Sequence, residues 1–79
     1  MSPTIFREKG YRFFFFSREE TRIHVHVHGA DGEAKYWLDP GIELAHNYAF
    51  SRTQMKQIEG IIEEHFHELT RAWKKHFGN

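Results

Sequence analysis

The sequence predicts an α+β fold, a small and mostly antiparallel sheet of four or five strands packed on one long C-terminal helix. Three observations predict it. The run Ile23-His24-Val25-His26-Val27-His28 alternates β-branched residues with histidines, the period of a strand buried on one face. Asp31-Gly32 parts that run from a second strand-like one, Glu33–Leu38, which signals a hairpin. From Met55 onward apolar residues recur at helical spacing behind a capping signature. Seventy-nine residues make a single domain over 1–79, with strands within 4–46 and a helix over about 52–77.

Thr4–Arg7 reads as a short strand and Glu8-Lys9-Gly10 as a turn into Tyr11–Phe16. Four consecutive Phe put rings on both faces of that second strand, which suits a central position covered on both sides. Ser17–Thr21 is a charged loop before the histidine strand. Two hairpin registers are open. A two-residue loop pairs His28 with Lys35, His26 with Trp37 and His24 with Asp39; a four-residue loop pairs them with Glu33, Lys35 and Trp37. Either register puts His24, His26 and His28 on the face of Glu33, Lys35 and Trp37. The opposite face, Val25, Val27, Ala34, Tyr36 and Leu38, has the composition of core.

Asp39-Pro40-Gly41 forms a turn, and Ile42–Ala45 is a fifth short strand or an extended connection. Ser51 with Gln54 makes a capping box, and Phe50 with Met55 a hydrophobic staple. The helix stripe is Met55, Ile58, Ile62, Leu69 and Trp73, widened by Ile61, Phe66 and Phe77; Gly78 ends it. About 26 helical residues span roughly 39 Å, whereas strands of this length span about 17–20 Å. The helix must therefore bend, with Gly60 the weak point, or project a Trp73/Phe77 end that asks for a partner such as a second copy.

Eleven basic and eleven acidic residues give zero net charge with neutral His, which argues against binding nucleic acid through bulk positive field. With no cysteine, thiolate metal sites, disulfides and a Cys nucleophile are excluded. No apolar run reaches signal-peptide or membrane-span length, so a cytoplasmic protein without a membrane role is expected.

Several segments come in a telling order: Pro3-Thr4-Ile5, Gly10-Tyr11-Arg12-Phe13-Phe14-Phe15, His24-Val25-His26-Val27 and Asp31-Gly32-Glu33-Ala34-Lys35-Tyr36-Trp37-Leu38. With Glu43-Leu44-Ala45, Asn47, Phe50-Ser51 and Trp73, nearly the whole chain resembles the bacterial domain-of-unknown-function family 4160. The resemblance implies a small prokaryotic protein with no established activity, often encoded beside another small gene in a toxin–antitoxin-like arrangement. It carries over His24, His26, Glu33, Lys35 and Trp37 as motif positions. Many relatives have Pro-Pro where this chain has Arg22-Ile23, and His28 is not a family-wide feature.

Three chemistries fit the His row. An interaction surface would use His24, His26, Glu33, Lys35 and Trp37, an aromatic and basic platform for a protein or a nucleic acid. The zero net charge favours a protein, either a second copy meeting through Trp73 and Phe77 or the neighbouring gene's product. A metal-independent ribonuclease would take its acid and base from His24 or His26, with Lys35 stabilising the transition state. A metal site would draw on His24, His26 and His28, with Asp39 or Glu33 as carboxylate. The expectation is a non-enzymatic interaction module that needs no cofactor.

Overall fold

A computed structural model describes residues 4–16 and 21–78; most of the charged loop expected at 17–21 lies outside them. The chain runs β1 (Thr4–Glu8), β2 (Tyr11–Phe14), β3 (His24–His28), β4 (Glu33–Trp37), β5 (Glu43–Tyr48), α1 (Arg52–Glu64) and α2 (Phe66–Phe77). The strands form one antiparallel meander in the order β1-β2-β3-β4-β5. The expected α+β class is what forms, with two helices in place of one.

Each turn follows from local chemistry. Between β1 and β2, Lys9 (φ 53°) and Gly10 (φ 84°) take the left-handed conformation of a two-residue hairpin. Between β3 and β4 the four-residue loop wins, pairing His28 with Glu33, His26 with Lys35 and His24 with Trp37. Gly29 N–H closes that loop on the Gly32 carbonyl at 3.0 Å. The connection into α1 is pinned by Asn47, whose amide donates to the Phe50 carbonyl (3.1 Å) and accepts from the Phe50 N–H (3.2 Å). The Ser51/Gln54 capping box forms in full, and the Gln54 amide also donates to Asp31 at 2.8 Å, tying the β3–β4 loop to α1.

The core lies between the sheet and the helices. Val25, Val27, Ala34, Tyr36 and Leu38 are buried there with Tyr11, Phe13 and Phe15 against Ile58, Ile61, Ile62, Leu69 and Trp73. The pleat splits Phe13–Phe16 between the two faces, and β2 lies inside the sheet, between β1 and β3. Phe13 and Phe15 are fully buried on the helix side, and Phe14 is buried on the other side under Arg12 and beside His26. Among the described residues, helices cover the Val25/Tyr36 side and reach the other side only where Trp73 packs on His24.

The single long helix is corrected. A straight helix of about 39 Å would exceed the 34 Å longest dimension of the molecule. The break falls at His65 (φ −106°, ψ 18°) and not at Gly60, which stays inside α1. His65 is held there from both sides: its ring packs 4.3 Å from Phe6, Nε2–H donates to Glu8 at 2.9 Å, and Nδ1–H donates to Glu68 at 2.7 Å. The hydrogen bond to Glu68, and after it the one to Glu8, raises the His65 pKa above its ordinary value. Backbone bonds cross the break, from His65 N–H to Ile61 O and Leu69 N–H to His65 O, so α2 changes direction without leaving the core.

That turn overturns the projecting-end premise. Trp73 is 1% exposed, packed against Phe15 (5.3 Å between centroids), Phe77 (4.3 Å) and His24 (5.0 Å). Phe77 is half-buried on the same cluster. Among the described residues no helix is long and apolar enough to cross a membrane.

Candidate functional site

Strand register lays out the helix-free face as three cross-strand rows. The first is Arg12–His28–Glu33–Tyr48, the second Phe14–His26–Lys35–His46, and the third His24–Trp37–Glu43. Directly opposed side chains on such rows lie about 4.5–5.5 Å apart at Cβ, close enough to act together. The sequence-predicted residues His26, Glu33, Lys35 and Trp37 are brought onto this one surface.

His24 shares the row but not the exposure. It is fully buried at the start of β3, with rings of His26, Trp37 and Trp73 within 5.0–5.4 Å of its own. Its Nδ1–H donates to the Arg22 carbonyl at 2.7 Å, which fixes the orientation of the ring. His24 is therefore a structural member of the face and not a group a partner can touch.

The remaining surface is a lattice of cations and rings. The Arg12 guanidinium stands 4.2 Å from the Phe14 centroid; Arg22 and Lys35 stand 4.3 and 4.4 Å from Trp37. Arg22 is oriented further by bonds donated to the Asp39 carbonyl (2.9 Å) and the Glu43 carboxylate (3.0 Å). His26 lies between Phe14, at 5.5 Å, and Phe16, at 4.3 Å. Phe16 is 43% exposed, a large apolar ring at the rim. A shallow hollow of about 210 Å³ opens at the centre, lined by Phe14, Phe16, His26, Glu33, Lys35 and His46 among others.

A metal site on the His row is not assembled. Among the described residues His24, His26, His28 and Asp39 do not bring their ligand atoms together: His24 is buried and His28 is exposed at the hairpin end. The strand rise separates residues two apart by about 6.6 Å, so three alternate histidines cannot all reach one ion. The described residues bring ligand atoms together elsewhere, at Glu8, Glu64 and His65.

Sequence reasoning named Lys35 but missed His46, Phe16 and the capping cations Arg12 and Arg22. His46 reaches the face only because β5 runs to Tyr48 and a register shift between Lys35 and Tyr36 restores its alignment. Period-two alternation carried on from Glu43 would put His46 on the opposite face, and a shift set by tertiary pairing leaves no sequence signal.

The model of the family described as Domain of unknown function (DUF4160) matches residues 10–74. The chain belongs to that family. The match takes in β2 to β5, α1 and most of α2, hence every row of the helix-free face. No curated protein and no solved structure matches the chain.

Proposed function

We propose that this DUF4160 domain is a small interaction module, a bacterial toxin–antitoxin-type component that binds a protein partner through the helix-free face of its sheet. The observation that carries the reading is the Phe14–His26–Lys35–His46 row: both helices pack on the opposite side, and this row presents rings, cations and a hollow outward. Phe14 and the exposed Phe16 line a hollow shared with Glu33 and Lys35, the mix of apolar rings and charged groups that a protein interface uses. Cations already cap Phe14 and Trp37, and Glu33 and Glu43 repel phosphate, so base stacking is less well served. The chain's zero net charge favours the same choice.

The test is calorimetric titration with the purified product of the neighbouring gene. Phe16→Ala and Lys35→Glu should each weaken binding at least about tenfold, roughly 1.4 kcal/mol, with unchanged circular dichroism. Binding untouched by both variants, or tight binding of single-stranded RNA in place of protein, would overturn the reading.

One observation favours a second reading. His26 and His46 flank Lys35 in adjacent strands around the hollow, which supplies an acid, a base and a cation for metal-independent RNA cleavage. His24, being buried, has no part in it. RNA cleavage in EDTA that disappears in both His26→Ala and His46→Ala supports this reading; none in the parent removes it.

A further inference from the structure

We propose that Glu8, Glu64 and His65 form a binding site for a divalent transition-metal ion at the joint between β1 and the helix break. The three residues come from three places in the chain: the end of β1, the end of α1 and the break itself. One imidazole nitrogen and two carboxylate oxygens, all within 4.8 Å of one another, make a mixed donor set suited to Zn²⁺ and its neighbours. Ligands about 2.1 Å from a tetrahedral ion stand roughly 3.4 Å apart. Glu8 and His65 Nε2, at 2.9 Å, are already inside that spacing, and the exposed Glu64 side chain can close on them by rotating.

The ring is also oriented as a ligand ring is. Its Nδ1–H donates to Glu68 at 2.7 Å, so the nitrogen left to face Glu8 is Nε2. Carboxylates that hold the far nitrogen of a metal-bound histidine in this way fix its tautomer and raise its basicity. An ion would replace the Nε2 proton between Glu8 and Glu64, exchanging one positive charge for two where three carboxylates gather. The groove beside the site, about 550 Å³, is lined by Glu8, Glu63 and Glu64 with Lys9 and Lys56, and gives an ion an open path. The two lysines oppose a cation, but Glu8, Glu63, Glu64 and Glu68 outnumber them. A bound ion would clamp β1 to the helix break, where His65 now holds them by its hydrogen bond to Glu8 and its ring contact with Phe6.

The experiment is titration of tag-free, EDTA-treated full-length protein with ZnCl₂, followed by calorimetry and by ¹⁵N spectra of the histidine rings. One ion per chain is expected, with the His65 ring nitrogens shifting. Glu64→Gln, at an exposed position that leaves the fold intact, should weaken binding at least about tenfold, and Glu68→Gln by about tenfold through loss of ring orientation. A variant with His24, His26 and His28 replaced by Gln should keep the affinity if it folds; His26→Gln with His28→Gln serves if it does not. The proposal is overturned by no binding up to millimolar zinc, by shifts confined to the strand histidines, or by affinity indifferent to Glu64→Gln.

Discussion

The same change at two glycines should have opposite effects. A Cβ built on Gly32 would overlap the Tyr48 carbonyl oxygen and stand 3.0 Å from Phe50 N and 3.1 Å from Ala49 C. Every obstacle is backbone of the β5–α1 connection, which Asn47 pins to Phe50, so the neighbour cannot swing aside as a side chain would. Overpacking costs about 1–3 kcal/mol, and a backbone obstacle puts Gly32→Ala at the upper end, near 3 kcal/mol. For a domain of this size each kcal/mol moves Tm by about 4–8 °C, so a fall of roughly 12–24 °C follows. Gly60 sits mid-helix in α1, exposed, with nothing within 4 Å of the built Cβ. Gly60→Ala should gain about 0.5–1 kcal/mol of helix propensity and raise Tm by roughly 2–8 °C. Thermal denaturation by circular dichroism measures both. A Gly32→Ala variant within about 3 °C of the parent, or a Gly60→Ala variant that melts lower, would refute the reasoning.

Trp73→Ala should cost about 3–5 kcal/mol, because a ring 1% exposed leaves a cavity among Phe15, His24 and Phe77; urea denaturation should show it, with Phe77→Ala costing less. Tyr36 is buried and donates to Glu59 at 2.9 Å, and burial first, then that bond and charge, raise its pKa above the ordinary phenol value. The folded state therefore favours the neutral phenol, a contribution intact below the unfolded pKa of about 10 and lost as pH rises beyond it. Tyr36→Phe should cost about 1 kcal/mol at pH 7, and its deficit should shrink above about pH 10; a deficit constant from pH 7 to 11 by denaturant titration would contradict this.

The sheet faces were legible because side-chain alternation has a period of two whichever register is chosen. Val25, Val27, Ala34, Tyr36 and Leu38 had to share a face, and they are buried together. The register itself waited on the turn, where Gly29 and Gly32 close a loop longer than the minimal Asp-Gly hairpin. The burial of His24 was not legible, since it is imposed by Trp73, nearly fifty residues downstream, and alternation carries no information about the end of a strand. The break at His65 was illegible for a similar reason. Helix propensity singles out Gly60, but the chain turns where Glu8, Phe6 and Glu68 grip a side chain, and that grip exists only after β1 has docked.

The two faces of the sheet are stabilised by different means, and this bears on how the proposed partner could bind. On the helix side, rings such as Phe13 and Phe15 are enclosed by other buried residues, and nothing can approach without unfolding the helices. On the other side, Phe14 and Trp37 are shielded by Arg12, Arg22 and Lys35, long side chains whose aliphatic stems cover rings while their charges reach water. Such a cover can move when an acidic partner offers the cations a better site, because side-chain rearrangement costs only about 0.5–1.5 kcal/mol per residue. Uncovering Trp37 would then add apolar contact at the moment the charges are satisfied. A partner that binds here should therefore quench the fluorescence of Trp37 while leaving that of the enclosed Trp73 unchanged, a distinction that Trp37→Phe makes measurable.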